Sequence, residues 1–279
     1  MQIKESNNIF SKTIEETEAL EEQESSYQTV GVFENEYFGN IMTLDGIPSI
    51  SSKRSYRYFE TAAQSALCTH PNAKNVLIIG GGNGGLATEV LKHKEIESVD
   101  IIEIDSQVTE LSKKYFPEIA AAFDDKRANL VSKEGYEFAR DAADKSYDIV
   151  LIDALDALGN AVSFDKVFFA HANRIIREDG ILICRAEDMD METEAYITRL
   201  ETVAEFFRFA LPFTAPDLLA LTGKISLIYA SKRYHPTADL LLQRIDMLEG
   251  LKYYNADRHN GNFAMGTDTF QELLGSMKI

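Results

Sequence analysis

A run of glycines between a short apolar segment and a helical segment constrains this chain more than any other feature. The six residues Gly80-Gly81-Gly82-Asn83-Gly84-Gly85 begin at the last residue of the apolar, β-branched run 75–80 and open a predicted helix at 86–93. Glycine lets the backbone turn sharply and approach a ligand where a Cβ would clash. A glycine loop between a buried strand and a helix is typical of α/β proteins that bind a nucleotide or nucleoside.

The chain after residue 56 alternates predicted strands and helices. A short, wholly apolar run is typical of a strand buried on both faces of a parallel sheet. The alternation therefore predicts an α/β fold, with a Rossmann-like, mostly parallel sheet and helices on both faces. An antiparallel hairpin with arms at 218–221 and 225–231 is predicted to follow. The predicted strands of the main sheet are residues 75–80, 99–105, 128–132, 147–153 and 180–185.

The first 52 residues have a different pattern. Residues 27–33 and 37–44 alternate loosely between apolar and polar side chains, as half-buried strands do. Asp45-Gly46 is a hairpin-turn signal, and residues 47–50 begin a return strand. We predict a small antiparallel β module over 1–52, a catalytic domain over 53–279, and self-association through the module.

Charge and composition indicate which classes of partner the protein can bind. The formal net charge is −17, which disfavours nucleic acid and anionic membrane surfaces and favours cationic small molecules. The two cysteines, Cys68 and Cys184, have no neighbouring Cys or His at metal spacing, so no metal site is predicted. No basic stretch followed by an apolar one is found in residues 1–11. A cytoplasmic location is therefore expected.

Acidic residues follow the predicted strands on either side of the glycine loop. Glu103 ends the second strand, Glu134 follows the third, and Asp153 and Asp156 follow the fourth. Ligands of open α/β sheets bind beyond the carboxyl ends of the strands, so these side chains are expected to share one crevice. No Lys-Ser or Lys-Thr pair follows the glycines, which argues against a triphosphate. The acids favour a cationic nucleoside such as S-adenosylmethionine or its decarboxylated form.

The order of short motifs over residues 27–230 resembles the polyamine aminopropyltransferases, the spermidine synthase family. The resemblance implies transfer of an aminopropyl group from decarboxylated S-adenosylmethionine, a co-substrate, to a diamine, with putrescine as the expected acceptor and no separate cofactor. It also implies a homodimer or homotetramer joined through the N-terminal module. The motifs are YQTV at Tyr27, FGNIMTLDG at Phe38, YFE at Tyr58, VLIIGGGNGG at Val76, EVLKH at Glu89, EID at Glu103, EG at Glu134 and DALDALG at Asp153.

The same resemblance implies roles for individual residues. Asp153 is the implied proton acceptor of the reaction and Asp156 the implied ligand of the acceptor amine, while Tyr58 flanks the amine channel. The remaining implied substrate-binding residues contact the donor, most of them at its nucleoside and Asn83 at its aminopropyl end. These are Gln28, Gly80, Gly82, Asn83, Glu103 at the ribose, Glu134 and Gly135 at the adenine, and Asn160 near the adenosine.

Several positions depart from the family pattern, most of them on the aminopropyl and amine side. Asn83 stands where the family has Asp, Arg54 where it has an acid, and residues 213–216 replace a Tyr-Tyr-Gly-Gly segment. Two other functions stay open on sequence alone. One is methyl or amino-carboxypropyl transfer from S-adenosylmethionine, and the other is a non-catalytic nucleoside-binding homologue. Arg54 is expected to lie in a solvated cluster with Lys53 and Arg57, which favours the decarboxylated donor.

Overall fold

The structure, a computed structural model, describes residues 2–6, 10–154 and 164–279. Its N-terminal part is antiparallel throughout. Asp45 and Gly46 have φ of 51° and 79°, the left-handed pair that a two-residue hairpin turn requires, so the predicted hairpin is confirmed. The strands are β1 Ile3–Ser6 paired with β2 Ser11–Ile14, and a four-stranded sheet of β3 Glu18–Glu24, β4 Thr29–Asn35, β5 Gly39–Leu44 and β6 Ile47–Ser51.

The main sheet of the described residues has seven strands. Five are parallel: β7 Asn75–Ile79, β8 Ser98–Glu103, β9 Ala128–Ser132, β10 Tyr147–Ile152 and β11 Ile176–Arg185. Two antiparallel strands complete one edge: β12 Phe209–Pro216 and β13 Lys224–Ser231. The spatial order is β12-β13-β11-β10-β7-β8-β9, which confirms the predicted mixed α/β class.

Helices cover both faces of this sheet and bury two apolar layers. Side chains that alternate along β7 and β10 point to opposite layers: Ile78 and Leu151 to one, Ile79 and Ile152 to the other. Met42 of the N-terminal sheet belongs to the first layer, so the module packs directly on the catalytic core. The helices are α1 Tyr56–Leu67, α2 Gly85–Leu91, α3 Ser106–Tyr115, α4 Pro117–Ala120, α5 Gly135–Asp141, α6 Lys166–Ile175, α7 Thr193–Ala204, α8 Leu242–Met247, α9 Ala256–Phe263 and α10 Thr267–Leu273.

The predicted edge hairpin is wrong in its first arm. Residues 218–221 lie in the connection, and the arm is β12, which pairs with β13 from Phe209↔Ser231 to Pro216↔Lys224. The connection is tied by Asp217, whose Oδ1 accepts a hydrogen bond from the Leu219 amide at 2.8 Å. Helix α7 ends at Ala204, and the chain enters β12 at Phe209.

Both cysteines are buried and free, as expected for small apolar side chains. Burial raises the pKa of Cys68 and of Cys184 to about 12, so neither is a thiolate near neutral pH. Among the described residues, no helix is long and apolar enough to cross a membrane. The same residues contain no group of three His, Cys, Asp or Glu side chains placed to hold a metal ion.

Candidate active site

The predicted site lies where the sheet changes its direction of winding. The chain passes from β7 outward through β8 and β9, then returns to place β10 on the other side of β7. Crevices at such a point are where open α/β sheets bind ligands. The Asp153 amide donates a hydrogen bond to the Ile79 carbonyl at 2.8 Å, so Asp153 is held directly beside the start of the glycine loop.

The glycines of the loop are required by close approaches. Gly80 has φ of +82°, and a Cβ there would lie 2.7 Å from the Ala154 amide nitrogen. A Cβ on Gly82 would lie 2.5 Å from the Glu103 carboxylate. The side chain of Asn83 turns back, and its Oδ1 accepts a hydrogen bond from the Gly85 amide at 2.8 Å at the start of α2. The glycines therefore let the loop pack closely against Ala154 and Glu103, beside the ends of β10 and β8.

Glu103 is fixed at the end of β8 by two backbone groups. Its Oε2 accepts a hydrogen bond from the Gly82 amide at 3.0 Å, and its Oε1 accepts one from the Asp105 amide at 2.9 Å. Burial raises the pKa of Glu103, and these amide donors oppose that rise. The carboxylate is thus oriented before any ligand arrives.

Gln28, on the N-terminal module, is linked to this region by Asp105, a residue that the sequence analysis did not assign to the site. Its Nε2 donates to Asp105 Oδ2 at 3.0 Å, and the Ser25 hydroxyl donates to the same oxygen at 2.8 Å. Asp105 Oδ1 accepts from the Gln107 amide and caps α3. The position of Asp105 directly before a helix indicates in the sequence that it caps that helix. Its contacts with residues 25 and 28 depend on the tertiary fold and could not be predicted.

Asp153 and Tyr58 form the other half of the site. The Tyr58 hydroxyl, on α1, donates a hydrogen bond to Asp153 Oδ1. Burial raises the pKa of Asp153 to about 6, and the positive charge of Arg185 and the Tyr58 and Asn83 side chains partly offset that rise. A carboxyl group with its pKa near neutrality can both accept and release a proton under physiological conditions.

Glu134 makes its hydrogen bonds to the first turn of a helix. It caps α5, accepting hydrogen bonds from the Tyr136 amide at 2.9 Å and the Glu137 amide at 2.8 Å. A Cβ at Gly135 would lie 2.5 Å from Ile79 Cγ2, so this glycine lets α5 approach β7 closely. The predicted adenine contacts of Glu134 and Gly135 stay predictions.

Two predicted substrate-binding residues, Asp156 and Asn160, lie outside the described residues. The basic cluster predicted from the sequence is divided. Arg54 is half-buried, with its guanidinium 4.1 Å from the ring centroid of Tyr37 on the N-terminal module. Arg57 differs, because its Nη1 is buried.

Comparison with known proteins extends these observations over nearly the whole chain. The family model described as the spermine/spermidine synthase domain matches residues 55–240, and the spermidine synthase tetramerisation domain matches residues 3–48. The polyamine aminopropyltransferase of Clostridium beijerinckii is 33% identical over 258 residues, covering 91% of this chain and 90% of that protein. That of Caldicellulosiruptor saccharolyticus is 34% identical, covering 90% of each.

Solved structures agree. A spermidine synthase in complex with the transition state analogue AdoDATO superposes with a TM-score of 0.91 at 28% identity, covering 98% of this chain and 94% of that one. The spermidine synthase of Thermotoga maritima gives the same values. The chain belongs to the spermine/spermidine synthase family. It is an aminopropyltransferase of the polyamine type, which confirms the resemblance read from the motifs.

Proposed function

We propose that this protein transfers an aminopropyl group from decarboxylated S-adenosylmethionine to putrescine, giving spermidine and methylthioadenosine. The observation that carries the proposal is Asp153, a buried carboxyl group with a pKa near 6 that lies beside a glycine loop and opposite an oriented Glu103. A base and a nucleoside-binding acid on neighbouring strand ends suit a reaction between an amine and a nucleoside donor.

The reaction needs alignment and one proton acceptor. The unprotonated amine attacks the aminopropyl carbon bonded to the sulfonium, and the carbon–sulfur bond breaks with its electron pair going to sulfur. Sulfur becomes a neutral thioether, and the product leaves as a secondary ammonium. An alkylamine is protonated at pH 7, so the acceptor enters as an ammonium, binds the Asp153 carboxylate and gives it one proton before the neutral amine attacks. Asp153 returns that proton to water when the product leaves. Holding both reactants in line supplies much of the remaining acceleration.

The other residues are assigned by the same proposal. Tyr58 orients Asp153 through its hydroxyl and forms one wall of the amine channel. Glu103 accepts hydrogen bonds from the ribose hydroxyls, and Gln28, held on Asp105, lies on the methylthioadenosine side. The remaining assignments follow the family motif. They place Glu134 and Gly135 at the adenine, Asn160 near the adenosine and Asp156 at the acceptor amine.

The same proposal covers the cellular and molecular setting. The donor is consumed as a co-substrate, and no further cofactor is invoked. We place the enzyme in the cytoplasm. We also propose that the N-terminal module joins protomers into a homodimer or homotetramer, as the matched tetramerisation domain suggests. Light scattering on the eluted full-length protein distinguishes the two states.

The direct test is product identification. The purified protein is incubated with decarboxylated S-adenosylmethionine and putrescine, and the products are identified by mass spectrometry. We expect spermidine and methylthioadenosine in equal amounts, since each transfer releases one of each. Donor consumption without an aminopropylated amine, with putrescine or with longer diamines, would contradict the proposal.

A further inference from the structure

Arg185 is the last residue of β11, and the strand register places it beside Asp153. In the parallel pair of β10 and β11, Ile152 is opposite Cys184, so the next residue of each strand follows side by side. Adjacent strands are about 4.8 Å apart. Side chains alternate between faces, and Ile183 belongs to the apolar layer that contains α1. Arg185 and Asp153 therefore point to the same face, the one from which Tyr58 reaches Asp153.

The guanidinium of Arg185 has no fixed partner in the part of the chain that the structure describes. No side-chain hydrogen bond or ion pair within 4.0 Å joins it to the residues of 2–6, 10–154 and 164–279. Two other arginines of this protein have several partners each. Arg127 donates to Asp125 and to three backbone carbonyls, and Arg244 donates to three carbonyls. Arg185 thus keeps its donors available for a ligand.

The charges around Arg185 are balanced rather than acidic. Arg185 acts electrostatically on Asp153, Asp217 and Glu5, lowering the pKa of each against the effect of burial. Two further cations, Lys12 and Arg57, also act on Asp217.

These two cations are not equivalent. Lys12 donates to the carbonyls of Leu218 and Ala220 and is thereby occupied. Arg57 Nη1 is buried and has no hydrogen-bond partner among the described residues. A carboxylate on the acceptor would pair with the Arg185 guanidinium, whereas an acceptor with only positive charges would interact only with the neighbouring acids.

We propose that Arg185 forms a carboxylate-binding subsite in the acceptor channel, so that the enzyme also uses diamines that carry a carboxylate. The inference rests on the proposed aminopropyl transfer and extends its range of acceptors. A guanidinium presents two parallel N–H donors that match the two oxygens of a carboxylate. The attacking amine stays at Asp153, the carboxylate is not consumed, and the transferred group is unchanged.

The test compares two acceptors that differ only by the carboxylate. Ornithine is putrescine with a carboxylate on the carbon beside one amine. We expect wild-type protein to aminopropylate both, and Arg185→Gln to lower the ratio of kcat/KM for ornithine to that for putrescine at least tenfold. Arg185→Lys should restore part of the ratio. Arg54→Gln, whose native side chain lies on Tyr37 of the N-terminal module, should leave it unchanged.

Three outcomes would overturn the inference. In the first, Arg185→Gln changes both acceptors by the same factor, which would mean that Arg185 acts only through Asp153. In the second, wild-type protein uses putrescine and not ornithine, so the proposed function stands and the subsite does not. In the third, wild-type protein binds S-adenosylmethionine more tightly than its decarboxylated form, and Arg185→Gln abolishes this preference. Arg185 would then bind the carboxylate of the donor and not that of the acceptor.

If neither acceptor is aminopropylated, the proposed function fails and binding decides the subsite. Calorimetry on protein saturated with methylthioadenosine then measures ornithine directly. Binding that Arg185→Gln weakens at least tenfold supports the subsite, and absent binding contradicts it.

Discussion

Asp153→Asn is expected to lower kcat for aminopropyl transfer by about 10²–10⁴-fold, the usual contribution of a positioned general base. The amide keeps the shape of the side chain and can still accept the Tyr58 hydroxyl, but it cannot take the proton of the attacking amine. Affinity for methylthioadenosine, measured by calorimetry, should be unchanged. Tyr58→Phe is the matched control: it removes only the hydroxyl, keeps the base, and should cost far less. Turnover like that of wild type in Asp153→Asn would remove Asp153 from the mechanism.

The pH profile separates loss of the base from damage to the site. Burial raises the pKa of Asp153 to about 6, so the base is ionised above that pH and protonated below it. Wild-type kcat/KM should therefore fall by about tenfold per pH unit below pH 6 from this group alone. Tyr58→Phe should retain an inflection of this kind. The residual activity of Asp153→Asn should lack it.

Stability provides a further check on the same variant. The pKa of Asp153 is raised on folding from 3.8 to about 6, so its ionised form is held less well by the folded than by the unfolded chain. That cost is absent below about pH 4 and fully present above about pH 6. Asp153→Asn should therefore unfold at no lower a temperature than wild type at pH 8, in a thermal melt followed by circular dichroism.

Glu103→Ala is expected to weaken binding of methylthioadenosine by about 10–100-fold. Hydrogen bonds to a charged acceptor are worth about 1.5–3 kcal/mol each, and water recovers part of the loss. The change also leaves the Gly82 and Asp105 amides without their carboxylate partner, which loosens the loop that should receive the nucleoside. Calorimetry at fixed salt gives the affinity.

Asp100→Ala is the control for that experiment. Asp100 lies on the same strand, away from the carboxyl end, and accepts a hydrogen bond from the Tyr147 hydroxyl at 2.6 Å. Its removal should lower the free energy of unfolding while leaving nucleoside affinity close to that of wild type. If Glu103→Ala also binds with unchanged affinity, the ribose assignment is wrong.

Local patterns were sufficient to predict the centre of the site. The strand β7, the glycine loop and Glu103 are encoded within 29 consecutive residues, 75–103, and each follows from apolar runs and glycine geometry. Asp153 was predictable because it directly follows a wholly buried strand. Strand ends are legible in sequence because burial imposes an uninterrupted apolar run.

Contacts that depend on strand order were not predictable. Arg185 ended a predicted strand, but nothing in the sequence said that this strand lies next to β10. The link from Gln28 to Asp105 spans 77 residues. The strand that begins at Phe209 was hard to predict for a different reason, because it contains two prolines. Prolines are tolerated there because β12 is an edge strand of the sheet.

A competition between the two donors tests directly whether the protein transfers an aminopropyl group from decarboxylated S-adenosylmethionine. Wild-type protein is given equal amounts of S-adenosylmethionine and its decarboxylated form with putrescine, and the amine products are identified by mass spectrometry. We expect aminopropylated putrescine as the dominant product, with release of methylthioadenosine. Asn83→Asp should strengthen this preference, because it adds an acid beside Asp153. A methylated or amino-carboxypropylated amine as the main product would contradict the assignment of aminopropyl transfer.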